Sequence, residues 1–172
     1  WWMFRWLGHE ATAVLDGGLQ QWQRPLESGA PRAPNPSDYQ PKQSLTRLWQ
    51  VQDVEHNLSQ PTHLLVDARS AERFRGEQEP IDPVAGHIPS AICLPCTDNL
   101  APSGLFKTAE DLRQRFADLL NTHTVCYCGS GVTATHNILA MRLAGLAEPV
   151  LYADSWSGWI TDSHRPIALS DT

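Results

Sequence analysis

Apolar residues recur along the chain in short runs divided by polar, turn-forming segments, and the period of recurrence changes from run to run. Residues 1–7 read as the end of an apolar helix closed by Gly8. Ala11 to Leu15 reads as a short buried strand, with Asp16-Gly17-Gly18 as its turn. Leu19 to Arg24 reads as one more helical turn, with Trp22 facing inward. From Thr46 to Leu58 the apolar residues fall at 48, 51, 54 and 58, the three-and-four spacing of an amphipathic helix. Leu64-Leu65-Val66 is a short buried strand ending at Asp67, and Ser70 to Phe74 is a short helix. A polar loop, Gly76 to Gly86, leads to a strand over Ala91 to Leu94, and Ser103-Gly104 makes a turn. Thr108 is placed to cap a helix running to about Leu120, with Leu112, Phe116, Leu119 and Leu120 as its buried stripe. Glu110 and Asp111 fall in its first turn, where carboxylates suit the positive end of the helix dipole. Thr124 to Tyr127 is a strand, Thr133 to Leu143 a helix closed by Gly145, and Pro149 to Tyr152 a last strand.

Strands that alternate with helices imply an α/β domain, a parallel sheet covered by helices on both faces. That texture begins after Pro41. Between Pro25 and Pro41 stand five prolines with Ser, Gly, Asn and Asp among them, the composition of an exposed linker. The division is therefore residues 1–24, too short for a core of their own, a linker at 25–41, and a complete domain at 42–172. The chain starts without Met inside an apolar run, which suggests a piece of something longer, its first 24 residues the tail of a preceding domain.

With 172 residues, 41% apolar and 19% charged, the chain excludes a disordered or fibrous class. A formal net charge of -6 with scattered basic residues argues against nucleic acid as a partner. The apolar start is too short to cross a membrane. Neither observation excludes a small anionic substrate in a locally positive pocket. Cys93 and Cys96 have the Cys-x-x-Cys spacing that invites a zinc or redox reading. The strand-like run around Cys93 favours small buried thiols instead, and the other pair, Cys126 and Cys128, is Cys-x-Cys. His9, His56, His63, His123 and His164 form no cluster with metal spacing.

The segment with chemistry in it is Thr124 to Ala134. A buried strand runs into Cys128, then Gly129-Ser130-Gly131, then a helix. Ligands of open α/β sheets bind outside the carboxyl ends of the strands, which is where Cys128 falls. Glycines let successive N–H groups point inward, and the helix adds its positive end, so the surroundings favour a thiolate. The same donors can hold a second sulfur as a persulfide, which makes Cys128 a candidate nucleophile in an anion cradle. Cys126 reads as a structural thiol deeper in the sheet.

Cys128-Gly-Ser-Gly-Val-Thr-Ala134 resembles the active-site loop of the rhodanese superfamily of sulfurtransferases, most closely its 3-mercaptopyruvate branch. Val66-Asp-Ala-Arg-Ser70 with Arg73-Phe-Arg-Gly76 resembles the first box of the family's catalytic domain, and Gly86-His-Ile-Pro-Ser-Ala91 the next. Tyr152 with Ser155-Trp-Ser-Gly-Trp159 resembles its closing aromatic segment, and Trp1 to Trp22 the last helix and strand of an inactive first domain in tandem members. The resemblance implies a three-layer rhodanese-like domain. It implies a persulfide on Cys128 stabilised by Gly129, Ser130, Gly131, Val132, Thr133 and Ala134, with Arg73 binding the anionic donor. Ser130 would hydrogen-bond the donor or assist proton transfer. Sulfur would pass from 3-mercaptopyruvate or thiosulfate to a thiol or cyanide, without metal or organic cofactor. Thr133 also reads as a helix cap, Asp67 as a tie for the loop after it, His87 as a backbone partner, and Trp156 and Trp159 as core or pocket wall; His136, one turn into the helix, faces either solvent or the pocket. Two departures stand out: Ile81 follows Glu79-Pro80 where the branch usually has a second arginine, and Ser130 stands where thiosulfate-preferring members carry a cation.

A Cys-based phosphatase or arsenate reductase shares a similar cradle but needs an arginine closing the loop, and here Thr135 follows Ala134. The non-enzymatic alternative is an inactive or truncated module that carries sulfur or serves as an interaction surface. Trp1, Trp2, Trp6 and Trp22 are expected either to pack on the catalytic domain or to drive self-association. A free reactive thiol points to the cytoplasm.

Overall fold

Parallel strands need long crossovers, and the helical periods between the strands supply them. The computed structural model describes residues 1–30 and 35–170, so Pro31 and Pro34 of the predicted linker lie outside the described residues. Five strands, β1 (Leu48–Trp49), β2 (Leu64–Asp67), β3 (Ile92–Cys93), β4 (Thr124–Tyr127) and β5 (Val150–Tyr152), form one sheet in the order β1-β5-β4-β2-β3. All pairings are parallel, with Asp67 beside Tyr127 on one side and Cys93 on the other. Among the described residues six helices surround it: α1 (Trp2–Trp6), α2 (Val51–Ser59), α3 (Ala71–Phe74), α4 (Ala109–Arg115), α5 (Ala134–Leu143) and α6 (Ser155–Trp159).

Side chains alternate across each strand, so the sheet has two cores. On one face Val66, Cys126, Cys128 and Leu151 pack against Leu112, Phe116, Ile138 and Met141. On the other, Leu65, Val125, Tyr127, Val150 and Tyr152 pack against Val54, Ile88, Trp156 and Trp159. β4 is buried along its whole length, as a central parallel strand must be. The crossover after β2 leads outward to β3 and the one after β4 leads the other way to β5. Their departure in opposite directions opens a crevice at the carboxyl ends of β2 and β4, the topological switch point where such sheets bind ligands.

Four readings of the sequence need correction. Ala11 to Leu15 form no strand: Val14 and Leu15 are half-exposed, and no ladder partner stands beside them among the described residues. Trp22 does not face inward but lies exposed after a single 3-10 turn, Gly18–Gln21. The apolar stripe beginning at Leu48 is split, since Leu48 and Trp49 pair with β5 and only Val51 onward is helical. The helix capped by Thr108 ends at Arg115 and continues as a 3-10 turn at Ala117–Leu119; Thr108 does accept the Asp111 N–H, at 3.1 Å. No helix among the described residues is long and apolar enough to cross a membrane.

Of the amino-terminal tryptophans, Trp2 is buried in the first core, Trp1 packs against it, and Trp6 is exposed. Arg5 ties the same segment down by an ion pair with Glu148 at 2.9 Å. Removing a buried Trp costs about 3–5 kcal/mol, whereas truncating an exposed one changes stability by roughly 0.5 kcal/mol or less. Urea denaturation is therefore expected to show a large loss for Trp2→Ala and almost none for Trp22→Ala. Equal effects would mean that α1 does not belong to this core.

Candidate active site

The loop after β4 is short of acceptors. Among the described residues, the N–H groups of residues 129 to 134 donate no hydrogen bond within the chain, although they surround a buried thiol. The carbonyls of the same loop are used: Gly129 accepts from the Ser157 N–H at 2.9 Å, and Val132 from the Thr135 N–H at 3.2 Å and hydroxyl at 2.8 Å. With carbonyls turned outward and N–H groups free, the loop presents donors around Cys128 and continues into the positive end of α5. Such a ring suits an anion held on or beside the sulfur.

Three features hold that geometry. Gly131 has φ of +77° and lies so close to Ala153 that a Cβ would stand 2.3 Å from its carbonyl oxygen. The Cys128 N–H is the exception among the loop's donors: it gives its hydrogen bond to Ser155 Oγ at 3.0 Å, and that hydroxyl donates to the Tyr152 carbonyl at 2.9 Å. Ser155 itself sits at φ of 54°, a left-handed position costing about 1–2 kcal/mol for a residue with a Cβ. The Trp156 N–H then bonds the Cys128 carbonyl at 3.0 Å, so the turn into α6 is laced to the loop.

On the β2 side of the crevice stands a network of ions. Arg69 is buried, lies over the Trp156 ring at 4.9 Å, and holds Asp67 through Nε and Nη2, the latter at 2.7 Å. Burial alone would lower the Arg69 guanidinium, and the hydrogen bond and charge of Asp67 reverse that, raising it. Glu79 takes Arg69 Nη1 at 3.3 Å and Arg73 Nη2 at 2.7 Å. Burial pushes its carboxyl up, but Arg73 and the Asp82 and Ile81 N–H groups outweigh this and pull it below the usual carboxylate range. Asp82 accepts from Arg73 Nη2 at 3.0 Å and from Ser157 Oγ at 2.7 Å. Arg73 thus spends Nε and Nη2 on two carboxylates. Its Nη1 makes no hydrogen bond among the described residues and faces the loop, 3.6 Å from where a Gly129 Cβ would be.

The crevice therefore brings together Cys128, Gly129 and Arg73. Gly131 is buried at the loop's base, whereas Ser130, Val132 and Thr133 are exposed on its rim. Thr133 holds the N-cap position of α5, but its backbone is already helical and its hydroxyl caps no helix N–H. Asp67 ties down the chain after β2 by accepting the Arg69 N–H at 2.9 Å. His87 is buried with Nδ1 2.7 Å from the Phe74 carbonyl, so it serves the backbone. His136 stacks on Phe106 and pairs with Asn99 at 3.1 Å. Burial lowers its imidazole, and it lines an apolar hollow with Trp1, Trp2 and Val132. Trp156 and Trp159 are fully buried. The roles of Ser155, Glu79 and Asp82 are what sequence reasoning passed over, because they come from neighbours on other elements. Among the described residues no group of three or more His, Cys, Asp and Glu side chains could hold a metal ion.

A family model described as "Rhodanese-like domain" matches residues 50–162. The chain is 48% identical over 99% of its length to a protein of Pseudomonas aeruginosa named "Probable 3-mercaptopyruvate sulfurtransferase", of which it covers 63%. It is 40% identical to the human 3-mercaptopyruvate sulfurtransferase, over 99% of this chain and 60% of that protein, and 36% identical to the mouse thiosulfate sulfurtransferase, over 92% and 56%. The chain thus spans less than two thirds of these curated relatives. Among solved structures, the Tum1 protein of Saccharomyces cerevisiae superposes with a TM-score of 0.85 at 26% identity, over 99% of this chain and 64% of that one.

Two substitutions test how the loop is held. Gly131→Ala combines a left-handed Cβ with a backbone clash and is expected to cost roughly 2 kcal/mol or more. Ser155→Ala orphans the buried Cys128 N–H, a loss of about 1–3 kcal/mol. Urea midpoints unchanged from the parent for both would show that the loop is not pinned as described.

Proposed function

The chain belongs to the rhodanese-like family, and on that premise we propose that it is a sulfurtransferase which takes sulfane sulfur from 3-mercaptopyruvate, or from thiosulfate, onto Cys128 and passes it to a thiol or cyanide. The observation that carries this reading is the run of unpaired N–H groups from Gly129 to Ala134 around the buried thiol. It has no packing use, and it supplies what a sulfur-centred anion needs.

In the first step the Cys128 thiolate attacks the donor sulfur. With 3-mercaptopyruvate the carbon–sulfur bond breaks and the enolate of pyruvate takes up a proton; with thiosulfate the sulfur–sulfur bond breaks and sulfite leaves. The Cys128 persulfide settles among the loop N–H groups of Gly129, Ser130, Gly131, Val132, Thr133 and Ala134. Nη1 of Arg73, aimed at Gly129, binds the donor's carboxylate or its sulfonate end, and the Ser130 hydroxyl on the rim assists the proton transfer. In the second step the acceptor attacks the outer sulfur and Cys128 leaves as thiolate. No step calls for a cofactor.

The preference for 3-mercaptopyruvate rests on charge. Arg73 already faces Glu79 and Asp82, and Ile81 is exposed where another cation would strengthen the site. A monoanion loses less than a dianion under those conditions. The same balance favours a second reading, in which the module carries a persulfide received from a protein partner and binds small donors weakly. Exposed Met3, Phe4 and Trp6 offer a surface for self-association. Cys96, Cys126 and Cys128, held as thiols, fit a reducing compartment such as the cytoplasm.

Intact mass after incubation with each donor tests the proposal. A gain of about 32 Da is expected on the folded chain and none on Cys128→Ser. No gain with either donor would overturn it. Arg73→Lys keeps the charge but loses the fork, so KM for 3-mercaptopyruvate is expected to rise about tenfold with kcat changed far less. An unchanged KM would remove Arg73 from donor binding.

A further inference from the structure

Arg73 keeps one nitrogen for a donor, and a carboxylate of the protein stands beside it. Nε and Nη2 go to Glu79, and Nη2 also donates to Asp82 Oδ2 at 3.0 Å. Nη1 makes no hydrogen bond among the described residues. A Cβ at Gly129 would lie 3.6 Å from Nη1 and 4.0 Å from Asp82 Oδ2, so the carboxylate already borders the place where a donor meets the guanidinium. Glu79 is not free to turn toward Nη1. Its oxygens accept from Arg69 Nη1, from Arg73, and from the Ile81 and Asp82 N–H groups at 3.1 Å each. Asp82 is held at fewer points. Its Oδ1 accepts, among the described residues, only from the Ser157 hydroxyl at 2.7 Å.

A carboxylate beside a guanidinium favours the fork of two parallel N–H···O bonds. Asp82 would complete that fork by turning Oδ1 to Nη1, and Oδ1 is the oxygen that Ser157 engages. The backbone around Asp82 is fixed by other means. The Asp82 N–H is held by Glu79, and the Val84 carbonyl accepts from Trp156 Nε1 at 2.9 Å. The Ser157 N–H separately holds the Gly129 carbonyl at 2.9 Å. The hydroxyl of Ser157 is therefore what decides where the Asp82 carboxylate points, and it can be removed without touching the backbone bond to the loop.

We infer that Ser157 is a positioning residue for the donor: its hydroxyl restricts Asp82 to one oxygen on Arg73 and so keeps Nη1 open for the donor's carboxylate or sulfonate. This rests on the sulfurtransferase reading above. Without the hydroxyl, Asp82 closes on Arg73 through both oxygens, and a donor has to displace it. The competition is between two anions for one cation. It raises the donor concentration needed and leaves the attack by Cys128 on a bound donor as it was.

The test is steady-state kinetics of the whole chain with 3-mercaptopyruvate as donor and 2-mercaptoethanol as acceptor. Ser157→Ala is expected to raise the donor KM about tenfold with kcat within about twofold of the parent. Asp82→Asn lacks the charge and the second carboxylate oxygen, and its donor KM is expected not to rise. Ser157→Ala combined with Asp82→Asn is expected to return KM to within about twofold of the parent. A hydroxyl that only braced the site would leave the double variant at least as impaired as Ser157→Ala, and that result overturns the inference. An unchanged KM in Ser157→Ala, a loss confined to kcat, or a raised KM in Asp82→Asn overturns it as well. Intact mass at saturating donor separates this from the wider reading. A gain of about 32 Da on parent and variants leaves the sulfurtransferase reading standing whatever the KM values are. A parent that does not load overturns that reading, and the role of Ser157 with it.

Discussion

A loop whose N–H groups find no acceptor among the described residues is the constraint from which the rest of the site follows. Buried or half-buried amides without partners cost free energy, and a fold keeps them only where something else holds the loop in that shape. Here the holding comes from β5 and α6. Ala153 leaves no room beside Gly131, Ser155 takes the Cys128 N–H, and the Trp156 and Ser157 N–H groups bind the loop's outward carbonyls. The strain of Ser155 at φ of 54° sits at the same junction. The donors are organised before any ligand arrives, so an anion that enters meets a ring already in place.

Charge on the opposite wall is arranged with equal economy. The guanidinium groups of Arg69 and Arg73 face the carboxylates of Asp67, Glu79 and Asp82, which leaves no surplus cation in the network. Its work is orientation. Arg69 buries its charge against Asp67 and the Trp156 ring, Glu79 bridges the two arginines, and Asp82 with Ser157 ties Arg73 back to α6. One nitrogen of Arg73 remains directed at the loop. Breaking any member leaves a buried charge unpaired, which costs about 3–5 kcal/mol, so these residues are held in place by stability as much as by chemistry.

Much of this was legible in the sequence. The runs at 64–67, 124–127 and 149–152 are short, apolar and bounded by turn residues, and they are strands; the α/β class and parallel sheet follow from the helices between them. Cys128 could be singled out because a nucleophile followed by Gly-Ser-Gly and a helix is a local pattern. What depends on distant partners was not legible. Leu48 and Trp49 continue a helical period, yet pairing with Leu151 and Tyr152 makes them a strand. Val14 and Leu15 have a strand's composition but no neighbour to pair with. Thr133 stands where a cap would, yet its backbone is already helical and its hydroxyl caps no helix N–H.

The central claim is that the amides of residues 129 to 134 hold a sulfur-borne anion on Cys128. Amide proton and nitrogen shifts of the ¹⁵N-labelled chain, recorded before and after loading with 3-mercaptopyruvate, address it directly. The account predicts downfield proton shifts concentrated at Gly129 to Ala134, with the Cys128 amide, already bonded to Ser155, moving less. Loading on Cys128 that leaves those amides unmoved, or moves them no more than the rest of the chain, would contradict it.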